Sequence, residues 1–266
     1  MLYDKVRFDE CDENAFLETY VSDEIEGFVR RAVLVIPGGA YSSVCASREG
    51  EPIAQAFVPY GYNAFVLHYT VNEKTFPSHL IQASKAIKHI RDNAKKYNID
   101  PDNVFVVGFS AGGHLAASVG TMWHKDEVYK EIDMPFGYNK PKGMMLIYPV
   151  ITGKYYNARS IENLLMKETL SEEDIELTSA SDAVSDKTSP AYIIHTSNDE
   201  MVDVRHSISM ANALAECGVQ FEMHVYPDGP HGVALGNEIT KCGVDKWCNP
   251  SISKWVENAA KWAETL

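Results

Sequence analysis

Six short apolar runs recur along the chain, and each begins or ends within two residues of a glycine or a proline. The runs are rich in aliphatic side chains and are mostly unbroken by polar residues. Parallel strands that are covered on both faces have this pattern, so each run predicts a strand of a buried sheet. The predicted strands are Arg31–Ile36, Asn63–Tyr69, Asn103–Gly108, Gly143–Tyr148, Ala191–Thr196 and Gln220–Tyr226.

Longer stretches between these runs place apolar residues every three to four positions, which is the spacing of an amphipathic helix. Strands that alternate with helices favour an α/β fold in which a mostly parallel, doubly wound sheet carries helices on both faces. Two further segments, Val6–Phe8 and Phe16–Val21, predict a hairpin at the edge of this sheet. The predicted helices are Ser78–Tyr97, Ala111–Trp123, Val204–Cys217 and Ser251–Leu266.

One segment interrupts the alternation of strands and helices. Residues 152–189 are polar and helical in pattern, and they contain too few apolar side chains to form a lid domain. We therefore expect a single domain over residues 1–266, with residues 152–189 as a small helical excursion above the edge of the sheet. A chain of 266 residues is long enough to bury a large core without further cross-links.

Composition narrows the class of protein. The net charge of −13 argues against nucleic acids and anionic membranes as partners, because both select basic surfaces. The five cysteines form no CxxC pair, which favours free thiols in a reducing compartment over a disulfide framework or a metal site. The polar, acidic N-terminal stretch lacks the apolar segment of a signal peptide, and we expect a cytoplasmic protein.

A serine lies between two glycines at the point where a predicted strand gives way to a helix. The sequence there reads GFSAG, from Gly108 to Gly112, with Ser110 at its centre. In a sharp strand-to-helix turn, glycines two residues before and after the serine remove collisions across the turn. Such a turn presents the hydroxyl at the carboxyl edge of the sheet, where α/β folds bind ligands. We therefore expect Ser110 to be a nucleophile.

A serine nucleophile needs a base, and the base needs an acid that orients it. In strand–turn–helix sites of this kind, the acid and then the histidine follow the serine along the chain. Asp199 and His231 follow the last two predicted strands, so both belong at the same edge of the sheet as Ser110. Asp203, about one helical turn beyond Asp199, is left as an alternative acid.

Acyl transfer also needs N–H donors that bind the developing oxyanion. The backbone of Ala111, directly after the serine, is expected to supply one donor. Gly39 and Ala40 lie in the glycine-rich loop after the first core strand. They are the candidates for the other donors, because glycine lets the backbone of this loop approach the substrate closely.

These motifs together resemble the serine esterases of the α/β-hydrolase superfamily, in the branch of small bacterial acetyl-esterase and acetylxylan-esterase-like proteins. The similarity covers nearly the whole length of the chain. It is carried by the stretches PGGAY, SREGEPIA, YNAFVLHYTV, GFSAGGHLAA, IIHTSNDEMVDV and YPDGPHGVAL. The resemblance implies an α/β-hydrolase fold without a large lid domain, and it assigns the triad and the oxyanion hole to the residues already named.

The expected reaction is hydrolysis of a short-acyl ester, acetyl first, through an acyl-enzyme. The resemblance alone suggests a sugar as the alcohol part of the ester. We expect a small-molecule ester as the partner, with no metal and no cofactor, and the sequence leaves a homodimer open. The side chains expected to shape the substrate pocket are Tyr41, Arg48, Tyr69 and Tyr148.

Two other functions fit parts of the pattern. A small peptidase of the prolyl-oligopeptidase type has a similar serine motif, although such enzymes usually carry an extra domain that sorts peptides. A non-catalytic binding protein on a hydrolase scaffold is the second alternative. Relatives of that kind typically lose the serine or the histidine, and this chain keeps both Ser110 and His231.

Overall fold

The computed structural model describes residues 2–9, 12–155 and 159–266. Over these residues, eight strands join into one sheet. Six of them overlap the predicted core strands. The predicted edge hairpin is also present, but its first strand begins at Leu2 and ends at Arg7, where the sequence predicts Val6–Phe8. The strands are β1 (Leu2–Arg7), β2 (Phe16–Val21), β3 (Arg30–Ile36), β4 (Tyr62–His68), β5 (Ile99–Phe109), β6 (Met144–Ile147), β7 (Ala191–Thr196) and β8 (Phe221–Tyr226).

The sheet runs in the order β1-β2-β4-β3-β5-β6-β7-β8. β1 and β2 form an antiparallel hairpin at one edge, and β2 is antiparallel to β4. The remaining neighbours pair in parallel, so the carboxyl ends of β3 to β8 lie along the same edge of the sheet. This arrangement confirms the predicted mostly parallel α/β fold.

The helices differ widely in length, and three of the short ones were not predicted, because four to seven residues give too little periodicity to recognise. The three are Ala46–Glu49, Glu51–Phe57 and Asp126–Glu131. The helices of the described ranges are α1 (Ala46–Glu49), α2 (Glu51–Phe57), α3 (Ser78–Asp92), α4 (Ala111–Met122), α5 (Asp126–Glu131), α6 (Arg159–Leu165), α7 (Glu172–Thr178), α8 (Arg205–Glu216) and α9 (Trp255–Ala263).

Helices cover both faces of the sheet. Successive side chains of β3 point to opposite faces, so their neighbours show which helices lie on each face. Val33 and Val35 pack in one hydrophobic cluster together with residues of α2 and α9. Leu34 and Ile36 pack in the other cluster, together with residues of α3, α4 and α8. The double coverage explains why the core strands are apolar along their whole length.

Several elements have other bounds than the sequence predicts, and β5 and α3 are two of them. β5 begins at Ile99, before the predicted Asn103, and runs through the exposed Pro101. The pairing of β3 with β5 shifts register there. α3 ends at Asp92, before the predicted Tyr97, because the Asn93 side chain donates to the carbonyl of the preceding turn and residues 93–98 form turns.

α9 begins at Trp255 and not at Ser251. The Asn249 side chain accepts hydrogen bonds from the N–H groups of Ser251 and Ile252, and these bonds stabilise turns before the helix. The predicted excursion at residues 152–189 contains α6 and α7, apart from residues 156–158, which lie outside the described residues. Within the described ranges, each helix is too short or too polar to cross a lipid bilayer.

Trp255 is expected to contribute strongly to stability, because it is fully buried and its indole N–H donates to the Ala234 carbonyl at 2.9 Å. Replacement by alanine should lower the free energy of unfolding by about 3–5 kcal/mol, the usual cost of truncating a buried aromatic side chain. Urea denaturation followed by circular dichroism measures this change. The control is Leu177→Ala at a residue that is 54% exposed, which should cost less than about 1 kcal/mol. Equal losses in both variants would contradict the prediction.

Candidate active site

The turn between β5 and α4 holds Ser110 in a strained conformation. Its φ of 53° lies in the left-handed region, which non-glycine residues rarely adopt. A Cβ added at Gly108 would lie 2.2 Å from the carbonyl oxygen of Gly112, across the turn. A Cβ added at Gly112 would lie 2.1 Å from the carbonyl oxygen of Ile36, at the end of β3. The turn therefore requires glycine at both positions.

Hydrogen bonds fix this turn on the neighbouring strand. The Ser110 N–H donates to the carbonyl of Ile147, the last residue of β6, at 3.1 Å. The Ser110 carbonyl accepts from the N–H groups of Val150 and His114 at 3.0 and 3.1 Å. Ser110 is 8% exposed and lies at the start of α4, whose positive N-terminal end favours negative charge that develops nearby.

The structure brings the three predicted triad residues together at the carboxyl edge of the sheet. Nε2 of His231 lies 2.9 Å from Oγ of Ser110. Nδ1 of the same ring lies 2.7 Å from Oδ2 of Asp199. The three side chains thus form a continuous hydrogen-bonded line from carboxyl group to hydroxyl group, which is the geometry that activates a serine.

The carboxyl group of Asp199 is fully enclosed by protein. Its Oδ1 accepts from the N–H groups of Met201 and Val202, each at 2.9 Å. Burial would raise its pKa, but hydrogen bonds with His195, His231 and the Val202 backbone outweigh burial and hold the pKa of Asp199 well below its usual range. The ionised carboxylate is therefore available to stabilise a cationic imidazole.

Asp203, the alternative acid, is engaged elsewhere. Its two carboxyl oxygens accept hydrogen bonds from the Arg205 guanidinium at 2.9 and 2.7 Å. Bonds from the side chain and backbone of Arg205 lower the pKa of Asp203 to about 2. The carboxyl group that contacts the imidazole of His231 is that of Asp199.

A second imidazole, which sequence reasoning did not single out, also lies against Asp199. His195 is 1% exposed, and its Nε2 lies 3.4 Å from Oδ2 of Asp199 and 2.9 Å from the carbonyl oxygen of Val202. Its Nδ1 lies 2.7 Å from Oγ of Ser207. The sequence pattern predicts that position 195 lies inside a strand. The sequence signal of this contact is the spacing of four residues between His195 and Asp199.

The loop after β3 has an unusual backbone. Gly39, Ala40 and Tyr41 have φ values of 128°, 53° and 56°, three consecutive residues in the left-handed region. The carbonyl oxygens of this loop are held by neighbours. The Ala40 carbonyl accepts from the side chain of Asn163 in α6 at 2.7 Å, and the Gly39 carbonyl accepts from the Ser42 N–H at 3.0 Å.

The N–H groups near the nucleophile are free to bind a ligand. Over residues 2–9, 12–155 and 159–266, the N–H groups of Gly39, Ala40 and Ala111 have no hydrogen-bond partner. The loop lies directly against the serine, because a Cβ added at Gly38 would be 3.0 Å from Cβ of Ser110. Free donors beside the nucleophile match the requirements of an oxyanion hole, which stays a prediction for these residues.

The three tyrosines predicted to shape the pocket are at most 3% exposed. The Tyr69 hydroxyl donates to a carbonyl of the loop after β3 at 2.8 Å, and the Tyr41 hydroxyl lies 2.8 Å from Nδ1 of His114. The Tyr148 ring packs edge-on against the His231 ring, with 5.0 Å between centroids. These side chains support the loops of the site, and their contact with substrate stays a prediction.

Arg48, the fourth predicted pocket residue, points to the loop after β8. It donates to the carbonyls of Gly232 and Thr240 at 2.6 and 2.9 Å. Its neighbour Glu49, which sequence reasoning missed, is buried and accepts from the N–H of Gly38 at 2.8 Å. An Arg-Glu pair followed by glycine matches no catalytic motif by itself, so its connection to two loops became visible only in the structure.

The polar groups of the site are a hydroxyl, an imidazole, a carboxylate and backbone N–H donors. This set is sufficient for acyl transfer, in which charge develops first on the imidazole and on the carbonyl oxygen of the substrate. In the described part of the chain, no group of three or more His, Cys, Asp or Glu side chains is arranged to hold a metal ion.

Comparison with known proteins identifies related sequences. Residues 17–214 match the sequence profile of the BD-FAE family. Two relatives are aligned over 77% of this chain: endo-1,4-beta-xylanase B from Butyrivibrio fibrisolvens, at 40% identity, and acetylxylan esterase from Xylanibacter ruminicola, at 32% identity. This chain spans 33% and 42% of the lengths of those two proteins.

A solved structure is similar over nearly the whole length. It is the acetyl ester-xyloside bifunctional hydrolase from Caldicellulosiruptor lactoaceticus, which superposes with a TM-score of 0.85 and shares 32% sequence identity. The match covers 98% of this chain and 96% of that chain. The similarity therefore includes the sheet and the edge at which Ser110, Asp199 and His231 meet.

Gly112→Ala should disrupt the turn that holds Ser110, because the added Cβ would overlap the carbonyl oxygens of Ile36 and Pro37 at 2.1 and 2.4 Å. We expect labelling of Ser110 by a fluorophosphonate probe to slow by at least about 100-fold, the effect of displacing reacting groups by roughly 1 Å. Gly218→Ala adds the same atom at a left-handed glycine (φ +68°) with nothing within 4 Å, so it introduces backbone strain without a steric overlap and serves as the control. Equal labelling of both variants would argue against the proposed strain.

The burial of His114 predicts that the stability of the protein depends on pH. Burial lowers its pKa to about 4, whereas an unfolded histidine titrates near about 6.5. Between these values the unfolded chain binds the proton and the folded chain does not, so stability is full above about pH 6.5 and falls as the pH is lowered toward 4.

His114→Gln removes this contribution. In urea denaturations from about pH 6 to about pH 4.5, the variant should lose about 1.4 kcal/mol less per pH unit than the parent. Above about pH 7 the two proteins should show the same slope, which provides the internal control. Equal slopes in the acidic range would show that His114 does not titrate as its burial requires.

Proposed function

The chain belongs to the BD-FAE family of esterases in the α/β-hydrolase superfamily, and on that premise we propose that it hydrolyses short-acyl esters of sugars, acetyl esters first. The observation that carries the proposal is the line of contacts from Asp199 through His231 to Ser110, at 2.7 and 2.9 Å. The names of two relatives, an acetylxylan esterase and an acetyl ester-xyloside hydrolase, support a sugar as the alcohol part.

The reaction begins when Nε2 of His231 takes the Ser110 proton and Oγ attacks the ester carbonyl carbon. The tetrahedral oxygen is bound by the N–H groups of Gly39, Ala40 and Ala111, whose lack of protein partners in the described ranges leaves them available. The cationic imidazole, stabilised by the Asp199 carboxylate, then protonates the leaving ester oxygen as the carbon–oxygen bond breaks, and the alcohol departs. Ser110 keeps the acyl group as an ester.

The second half of the reaction releases the acyl group. His231 takes a proton from water, the resulting hydroxide attacks the acyl-enzyme, and the same N–H groups bind the second tetrahedral oxygen. Proton transfer back to Oγ frees the carboxylic acid and restores the serine. Every proton moves through Nε2, and Asp199 holds Nδ1 throughout.

The site supports acyl transfer better than cleavage of a glycosidic bond. Glycoside hydrolysis usually employs two carboxyl groups on opposite sides of the bond that breaks. Here the carboxyl group of Asp199 is fully enclosed and behind the imidazole, where it contacts His231 and backbone N–H groups. It is therefore placed to orient a base and not to protonate a sugar oxygen.

Ser110→Ala should reduce turnover of p-nitrophenyl acetate by about 10⁶-fold, as in comparable serine hydrolases. Ser118→Ala is a matched control on α4, because Ser118 is buried and its hydroxyl has no partner in the described part of the chain. The control should retain turnover within about twofold. A loss below about tenfold in Ser110→Ala would refute the assignment of the nucleophile.

The substrate class is tested with acetylated xylo-oligosaccharides, a series of p-nitrophenyl esters of increasing acyl length, p-nitrophenyl xyloside and aminoacyl amides. We expect kcat/KM to be highest for acetyl esters and to fall as the acyl chain lengthens. Faster cleavage of the amides would favour a peptidase. Absence of both turnover and labelling of Ser110 by a fluorophosphonate would favour a binding protein.

A further inference from the structure

The four-residue helix α1 lies between two loops of the site that are far apart in sequence. One is the loop after β3, with the proposed oxyanion donors, and the other is the loop after β8, with His231. The last two residues of α1, Arg48 and Glu49, contact both loops through their side chains. Each side chain hydrogen-bonds to at least one backbone group of these loops, so the contacts fix main-chain positions.

Glu49 connects the first loop to the sheet. It is 5% exposed, and its Oε2 accepts from the N–H of Gly38 at 2.8 Å. Its Oε1 accepts from the hydroxyl of Tyr148, also at 2.8 Å. Burial and the adjacent Glu49 raise the pKa of Tyr148 well above its usual value, so the phenol stays protonated and donates.

Tyr148 continues this chain of contacts into the second loop. Its hydroxyl oxygen accepts from the N–H of Ala234 at 3.1 Å, three residues beyond His231. Its ring packs edge-on against the imidazole at 5.0 Å between centroids. The carboxyl group of Glu49 thus binds Gly38, next to Gly39, directly. Through the Tyr148 hydroxyl it is also connected to the loop after β8 that carries His231, the histidine loop.

Arg48 holds the histidine loop at three points. Its guanidinium donates to the carbonyls of Gly232 and Thr240 at 2.6 and 2.9 Å. It also stacks on the ring of Trp247, with 3.6 Å between the guanidinium carbon and the ring centroid. The Trp247 indole N–H in turn donates to the carbonyl of His231 itself, at 3.1 Å. Only a planar guanidinium can make these contacts together.

We propose that Arg48 and Glu49 are positioning residues for the reaction, in addition to the triad and the oxyanion donors. Glu49 fixes the N–H groups of the oxyanion loop relative to Ser110, and Arg48 fixes the imidazole of His231 relative to Oγ. The proposal rests on the proposed ester hydrolysis. Because acyl transfer is sensitive to displacements of about 1 Å, loss of either anchor should slow chemistry while substrate binding is retained.

Glu49→Gln and Tyr148→Phe test the first anchor. The first substitution exchanges one of the two acceptor oxygens for an amide donor, so one of the two bonds is lost, and the second leaves the Ala234 N–H without a partner. We expect kcat for p-nitrophenyl acetate to fall by about 10- to 100-fold with KM changed less than about threefold. Affinity for a trifluoromethyl ketone, which forms a tetrahedral adduct with the serine, should fall by a similar factor, because the adduct needs the oxyanion donors.

Arg48→Ala tests the second anchor by chemical rescue. Removal of the guanidinium should reduce kcat by about 100-fold, and added guanidinium ion should restore part of it by occupying the vacated space above Trp247. Arg48→Lys keeps the charge but cannot make the stacked, two-carbonyl contact, so it should be as slow as Arg48→Ala in the absence of guanidinium. A residue that acts only on overall stability would show no such rescue.

Two exposed residues with the same charged groups serve as controls. Glu51→Gln changes an exposed carboxyl group. Within the described ranges its hydrogen-bond partner is the Gln55 side chain. Arg7→Met changes an exposed guanidinium in β1. Both should retain parental kcat within about twofold. Thermal denaturation of all variants shows whether each is folded, and only folded variants are compared.

The outcomes separate this proposal from the proposed function. If the parent protein hydrolyses no ester, the proposed function fails. If the parent is active and the folded Glu49→Gln, Tyr148→Phe and Arg48→Lys variants keep kcat within about threefold, the positioning role is wrong and ester hydrolysis stands. A rise in KM with kcat unchanged would also overturn it, because that result indicates contact with substrate.

Discussion

The close packing of the first turn of α4 against the end of β3 is the constraint on which the site depends. Gly112 lies so near the carbonyl of Ile36 that no side chain fits between the helix and the strand. This contact brings the loop after β3 directly against the nucleophile. The serine and its proposed oxyanion donors are therefore neighbours because of backbone packing, before any side chain contributes.

Much of this arrangement follows from sequence for a simple reason. Strands buried on both faces have continuous aliphatic runs, and parallel strands end at a common edge, so residues after each run must converge. Ser110, Asp199 and His231 all follow such runs, which is why three positions separated by up to 121 residues could be grouped before the structure was known.

The remaining features depend on contacts that local patterns do not encode. Glu49 meets Tyr148 across 99 positions, and Arg48 meets Gly232 across 184. Pro101 joins β5 because it lies on an exposed part of the strand, although its sequence favours a turn. His195 contacts the Asp199 carboxyl group from within β7, and its four-residue spacing from Asp199 is too weak a signal to predict that contact.

The loop after β3 has two kinds of positions, which differ in the side chains that their backbone torsions tolerate. Gly39, Ala40 and Tyr41 adopt left-handed torsions, so β-branched or bulky replacements there would carry a conformational penalty whatever they touch. Ser42 and Ser43 are exposed and can vary in size and polarity without that penalty. Mutagenesis libraries that diversify Ser42 and Ser43 and spare Gly39, Ala40 and Tyr41 would change the exposed side chains of this loop without forcing new residues into left-handed torsions.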